Sequence, residues 1–126
     1  MGENEYRGFR DLKAYQRAYG LALEIHKITK TFPVEEKYSL VDQIRRSSRS
    51  VAANIAEAWR KRRYKKAFIS KLTDCSGEAS ETEVWLDFSK DLGYLELTKY
   101  NELIEKCDEV GRMLSGMIGK ADKFCY

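Results

Sequence analysis

Proline and histidine each occur once in this chain, cysteine three times and glycine eight times, and each scarcity removes a class of structure. An all-β sandwich or barrel needs a turn signal about every 8 to 12 residues, so the shortage of turn formers makes long helices the expectation. No stretch approaches the roughly 18 uncharged apolar residues of a membrane span. The opening Met-Gly-Glu-Asn-Glu-Tyr-Arg lacks the apolar core of a secretory signal, so a cytoplasmic protein without membrane association is expected. Cys75, Cys107 and Cys125 are odd in number, far apart and without a C-x-x-C pair. That argues against a disulfide framework or a zinc knuckle and for reduced thiols.

What is present fits one compact domain spanning residues 1–126, since domains typically run to roughly 100 to 200 residues. Apolar residues make up 43% of the chain and charged residues 34%, enough to fill one core and cover it with charge. The net charge of +3 conceals a strong polarity along the chain. Residues 1–33 carry 6 Lys/Arg against 4 Asp/Glu, residues 34–66 carry 10 against 4, and residues 67–126 carry 7 against 12. The middle third is therefore +6 and the last part −5.

Apolar spacing and punctuation predict helices over about 11–32, 39–60, 65–92 and 98–120. Asp11 is a candidate N-cap for the first, which ends before Pro33. This helix carries two apolar stripes, Leu12, Tyr15, Tyr19 and Ala22 on one and Ala14, Ala18, Leu21, Ile25, Ile28 and Phe32 on the other. A peripheral helix of a monomeric bundle needs only one stripe, so the second suggests burial against another subunit. Ser39 and Asp42 resemble a capping box for the second helix, whose core stripe is Ile44, Ser48, Val51, Ile55 and Ala58 or Trp59. Its many serines and alanines would let a neighbour approach closely. The basic run from Arg60 to Lys66 joins it to the third helix, either as a tight corner or as continuous helix. Phe68, Leu72, Cys75, Ala79, Thr82, Leu86 and Ser89 line the third helix at heptad spacing, with Trp85, Phe88 and Leu92 beside them, and Gly93 suits a left-handed stop. Thr98 is a candidate N-cap for the fourth, whose inward stripe is Tyr100, Leu103 or Ile104, Cys107, Val110, Leu114, Met117 and Ile118. The tail from Lys120 to Tyr126 is expected to fray. The reading is all-α, an antiparallel up-and-down four-helix bundle.

Catalytic and metal constellations are thin. A Ser-His-Asp or Cys-His set would have to be built on His26, and no G-x-S-x-G elbow presents a nucleophile. His26 reads as structural. A ferritin-like centre needs two Glu-x-x-His pairs, and the chain has none; Asp74, Glu78 and Glu81 read as a solvated face or as ion-pair partners. Cys75 and Cys107 read as core fillers and Cys125 as a free thiol. No catalytic residue, metal or cofactor is expected.

The basic surface carries the functional signal. Arg45, Arg46 and Arg49 lie about a turn apart, and Arg60, Lys61, Arg62, Arg63, Lys65 and Lys66 follow, with Trp59 and Tyr64 interleaved. Such cations neutralise phosphates with release of counterions, and aromatic rings stack on unpaired bases, so RNA or DNA is the expected partner. The competing reading pairs the basic run with acidic protein surfaces. A polar line, Gln43, Ser47, Ser50, Asn54, Glu57 and Lys61, runs along the same helix. It would serve as a solvent face, as inter-helix hydrogen bonds, or as the lining of a channel in an oligomer.

The segment Gln43-Ile44-Arg45-Arg46-Ser47-Ser48-Arg49-Ser50-Val51-Ala52-Ala53-Asn54-Ile55-Ala56-Glu57, preceded by Phe32-Pro33, Glu36 and Tyr38, resembles the bacterial four-helix bundle proteins called 23S rRNA intervening-sequence proteins. Phe9-Arg10-Asp11-Leu12, Gly77-Glu78-Ala79, Glu81-Thr82, Trp85-Leu86 and Gly93-Tyr94-Leu95 extend the likeness over nearly the whole chain, while Ala58 stands where the family usually has glycine. The resemblance implies an up-and-down bundle assembled as a ring-like homopentamer, with a basic face toward nucleic acid. It marks Gln43, Ser50, Asn54 and Glu57 as structural or inter-subunit positions and brings no catalytic residues. A related group, the accessory variability determinant proteins of diversity-generating retroelements, shares the style of Val110-Gly111-Arg112-Met113-Leu114; its members form similar pentamers and bind a reverse transcriptase and its RNA.

Overall fold

A computed structural model describes residues 6–126. Four long helices, α1 (Lys13–Thr29), α2 (Leu40–Arg60), α3 (Lys65–Asp91) and α4 (Leu97–Gly119), are followed by a single turn, α5 (Ala121–Phe124). Short 3-10 turns, Phe9–Asp11 and Val34–Glu36, precede α1 and α2. Among the described residues there is no strand. Each long helix packs on its sequence neighbours, and α1 closes against α4. Side-chain pairs show that neighbours run antiparallel: Ser47 meets Thr82 while Glu57 meets Lys71 across α2 and α3, and Arg17 meets Glu109 while Glu24 meets Lys99 across α1 and α4.

The inward stripes follow the spacing. Phe68, Leu72, Cys75, Ala79, Thr82, Leu86 and Ser89 are the buried residues of α3. The core falls into two main clusters, one around Val51, Ile55, Phe68, Leu72, Val110 and Leu114, the other around Leu21, Ile25, Ile44, Leu86 and Leu103. In α2, Ser47 and Ser48 lie between Ile44 and Val51, and in α3, Thr82 lies between Ala79 and Leu86. The Ser47 and Thr82 hydroxyls share a buried hydrogen bond of 2.8 Å across this level, so the polar layer is satisfied where two helices approach over small side chains.

Helix ends depart from the expected caps. α1 starts one turn after Gly8, with Leu12 at the N-cap; the Asp11 carboxylate accepts the backbone N–H of Arg7 at 2.7 Å. It stops at Thr29 rather than near Phe32, because Pro33 disfavours helical backbone in the residue before it and Thr29–Phe32 closes with i to i+3 bonds. At α2, Ser39 holds the N-cap position without capping, since its hydroxyl donates to Glu36 at 2.7 Å. Asp42 pairs instead with Arg46. The Glu36 carboxylate also receives the Tyr94 hydroxyl at 2.8 Å, tying the α1–α2 connection to the α3–α4 turn. α4 begins at Leu97 with Glu96 as N-cap, ahead of Thr98. Gly93 adopts φ +84°, and the bonds from Gly93 N–H to the Lys90 carbonyl and from Tyr94 N–H to the Ser89 carbonyl close α3 as a Schellman motif.

Between α2 and α3 the chain turns a corner at Lys61–Tyr64, which resolves the two readings of the basic run. The tail does not fray. Phe124 stacks on Phe68 with ring centroids 5.9 Å apart, and Ala121 is buried. Removing Phe68 opens this end of the core: Phe68→Ala should lower the unfolding free energy by about 3–5 kcal/mol, measured by urea denaturation, and a loss below about 1 kcal/mol would contradict the packing.

Hydrogen bonds from Ser39 and Tyr94 hold the Glu36 carboxyl below the usual carboxylate range. A depressed carboxylate contributes stability above its ordinary value and loses it as pH falls through the depressed one. Glu36→Gln should therefore remove a component of acid sensitivity in that window, read as a flatter dependence of melting temperature on pH.

Candidate nucleic-acid interface

α2 is flanked by α1 and α3, so only one strip of its circumference faces solvent. At 100° per residue Arg46, Arg49 and Arg60 fall on that strip, with Arg46 and Arg60 about 21 Å apart along the axis. Arg60, Lys61, Arg63 and Lys66 are exposed and have no carboxylate partner among the described residues. Tyr64 is exposed beside them. These exposed cations lie along the outer part of α2 and at the corner.

Four of the expected cations are engaged inside the chain. Arg45 is half-buried and donates to the Thr29 hydroxyl at 2.9 Å and to the His26 carbonyl at 3.2 Å, closing the C-terminal end of α1. Arg62 donates to the Trp59 carbonyl at 2.8 Å and lies 3.5 Å above the Trp59 ring and 5.2 Å from the Tyr126 ring. Trp59 is only 8% exposed, so neither residue of this stack is open to a base. Lys65 pairs with Asp122 at 2.6 Å and Arg46 with Asp42 at 3.2 Å, both exposed pairs that a phosphate can displace at small cost.

The polar line of α2 turns toward α3. Ser47 is buried on Thr82, Glu57 pairs with Lys71 at 3.3 Å, Ser50 and Asn54 are half-buried, and Gln43 and Lys61 are exposed. His26 sits at the α1–α2 edge with its Nδ1 3.1 Å from the Arg49 guanidinium. The positive charge of Arg45, helped by partial burial, Lys30 and Arg49, lowers its pKa and favours the neutral ring.

The α3–α4 side has the opposite sign. Glu83 is pushed up by burial and by the neighbouring Asp108 and Asp87 carboxylates. On the α1–α4 side Glu24 is half-buried; burial alone would raise its pKa, but the Lys106 and Lys99 ammonium groups outweigh it and keep the carboxyl ionised. Among the described residues no three His, Cys, Asp or Glu side chains are grouped as a metal site, and no helix is long and apolar enough to cross a membrane.

Residues 10–116 match the family described as 23S rRNA-intervening sequence protein. The chain belongs to that family. In this family member the corner follows Ala58, which is fully buried. A crystal structure of a protein of unknown function from the S23 ribosomal protein family of Bacteroides thetaiotaomicron VPI-5482 is similar, with a TM-score of 0.76 and 29% identity. The likeness covers 84% of this chain and 95% of that one. No curated protein matches the chain.

Sequence reasoning missed an aromatic ladder on α1. Phe9 and Tyr15 meet edge to face at 5.0 Å and Tyr15 stacks on Tyr19 at 5.8 Å. The signal available was the i, i+4 spacing of Tyr15 and Tyr19 on the stripe they share with Leu12 and Ala22, of which Leu12 and Ala22 are buried while Tyr19 is 50% exposed.

The thiols of this family member differ in reactivity. Burial pushes Cys75 and Cys107 up to about 12, whereas Cys125 is shifted up less and is partly accessible. A thiol reagent near pH 8 should modify one cysteine readily in the native protein and three after denaturation. Peptide mapping should place the fast site at Cys125, and equal rates at all three would contradict the burial of the other two.

Proposed function

We propose that this family member is a non-catalytic, homo-oligomeric RNA- or DNA-binding bundle of the cytoplasm, where its three unpaired thiols suit a reducing compartment. The observation that carries the reading is the segregation of charge: exposed cations, most of them with no carboxylate partner among the described residues, gather on the outer strip of α2 and at the corner, while α3 and α4 present carboxylates. A polyanion is thereby drawn to one side and repelled from the other. The corner residues act as backbone contacts without base selectivity.

Self-association is supported by an uncovered apolar stripe on α3. Val84, Phe88 and Leu92 are spaced by four and each is close to half exposed, with Phe88 against Trp85 at 5.9 Å. Carboxylates of Glu81, Asp87 and Asp91 surround this stripe, so it suits a protein neighbour better than a polynucleotide. One chain binds weakly and in a salt-sensitive way, and several copies on one strand act at high effective concentration. A homopentameric ring, the assembly implied by the resemblance, would present five such faces.

Fluorescence titration of a labelled polynucleotide in low and raised salt tests this. Wild-type protein should bind with an affinity that falls steeply with salt. Replacing Arg60, Lys61, Arg63 and Lys66 by alanine should reduce the slope of log affinity against log salt by about 0.7 to 0.9 for each phosphate that is no longer neutralised. No binding at low salt would reject the reading and favour an acidic protein partner for the same surface, such as the reverse transcriptase that the related accessory proteins bind.

A further inference from the structure

Between α1 and α2 lies an open groove of about 520 Å³, whose wall is Phe9, Tyr15, Tyr19 and Leu23 from the α1 side and whose floor is Ala52, Ala53 and Ala56 of α2. This volume is in the range of small-ligand sites, roughly 300–1,000 Å³. The floor has no side chain longer than a methyl group, so a flat ring can lie on it. Tyr15 and Tyr19 are already stacked, with an interplanar angle of 29°, and Tyr19 and Leu23 are each about half exposed at the mouth. The ladder therefore ends on a ring whose outer part no described residue covers.

Cations stand at both ends of this apolar floor. At one end is the Arg49 guanidinium, 3.1 Å from the His26 ring. At the other end Phe9 also lines an adjoining depression with Arg7, Arg10 and Arg60, and the Arg10 guanidinium lies 4.6 Å over the Phe9 ring. The carboxylate at that end, Asp11, accepts the backbone N–H of Arg7. An aromatic, uncharged centre between two positive ends is complementary to a nucleotide segment whose base is unpaired and whose flanking phosphates diverge. The acidic apolar stripe of α3 lacks that complementarity.

We infer that the α1–α2 groove is a stacking site for an unpaired base of a single-stranded RNA or DNA, with Tyr19 as the platform and Arg49 and Arg60 toward the flanking phosphates. This rests on the polynucleotide-binding reading above and adds a preference for single strands, because a paired and stacked base cannot enter the groove. Trp59 and Tyr64 are not the platform: the first is covered by Arg62, and the second is a lone ring at the corner.

The test compares a labelled 12-nucleotide single strand with the corresponding duplex at low salt, using wild type, Tyr19→Ala and Tyr19→Phe. Wild type should prefer the single strand. Tyr19→Ala should weaken single-strand binding about 5- to 150-fold, the range expected for one stacked base, with duplex binding changed less than about twofold. Tyr19→Phe keeps a ring and should stay near wild type. Photo-cross-linking of a 5-bromouridine strand to the unaltered protein provides a measurement that does not depend on how the variant folds, and adducts should map to Tyr15 or Tyr19. Wild-type binding that is indifferent to Tyr19→Ala, or adducts confined to Tyr38 and Tyr64, would overturn the inference and leave the general reading standing. A drop in native mass for Tyr19→Ala with single-strand affinity intact would overturn it in favour of a second copy in the groove. Failure of wild type to bind either polynucleotide would remove the reading on which it rests.

Discussion

The hydrogen bond between Ser47 and Thr82 sets the geometry on which the rest of the chain depends. Two hydroxyls 2.8 Å apart fix both the separation of α2 and α3 and the rotation of α2 about its own axis. Each hydroxyl also keeps a carbonyl of its own helix within reach, Ile44 for Ser47 and Glu78 for Thr82, so slippage of either helix would cost the shared bond, about 0.5–1.5 kcal/mol, and the fit of the small side chains around it. Once Ser47 points at α3, the 100° step of the helix sends Arg45, Ala52 and Ala56 toward α1 and Arg46, Arg49, Ala53 and Arg60 to solvent. One buried polar contact thus decides which cations face outward and where the alanine floor lies. The Glu57–Lys71 pair, almost three turns further along, repeats the same register at the surface.

Charge then adds a second layer of organisation without holding the fold together. The pairs Arg17–Glu109, Lys99–Glu24 and Lys106–Glu24 join α1 to α4, and exposed pairs of this kind contribute about 0–1 kcal/mol each. Their larger effect is on the field of the molecule. By consuming cations along the α1–α4 edge they leave the surplus of the middle third on α2 and at the corner, while Glu83, Asp87 and Asp108 on the α3–α4 side form no salt bridge among the described residues. The two apolar surfaces left uncovered, the α1–α2 groove and the α3 stripe, therefore sit in fields of opposite sign, and this separates the partners each can accept.

The inward stripes were legible in the sequence because burial in a bundle repeats with the helical period. All seven residues read as the α3 stripe are buried, and the Gly93 stop was readable because φ +84° suits glycine alone. The caps were not legible in the same way. Ser39 stands where a cap belongs, but Glu36, brought close by the 3-10 turn after Pro33, takes its hydroxyl and offers its own carboxylate to the start of α2. The tail was misread because its anchor is tertiary: Phe124 finds Phe68 only after α3 and α4 have closed. The candidate interface was legible as a run of positive charge, yet a run does not say which members the fold will use. Arg45 and Arg62 became parts of the structure, and the aromatic component moved from Trp59 to Tyr15 and Tyr19, which had read only as a surplus apolar stripe.

The corner shows why both outcomes follow from one requirement. Reversing the chain between α2 and α3 within Lys61–Tyr64 leaves the last carbonyls of α2 without helical partners. Lys61 and Arg62 supply backbone N–H groups to the carbonyls of Ala58 and Trp59, and the Arg62 guanidinium adds a second donor to the Trp59 carbonyl. The turn is completed without a positive φ in any described non-glycine residue. Ala58, in the last turn of α2, fills the core with a fully buried methyl. Satisfying those carbonyls uses up Arg62, and lying on Trp59 excludes water and any base from that ring. A corner built this way needs a cation for its own closure. The charge displayed to a partner is smaller than the run of basic residues suggests, and it is carried by Arg60, Lys61, Arg63 and Lys66.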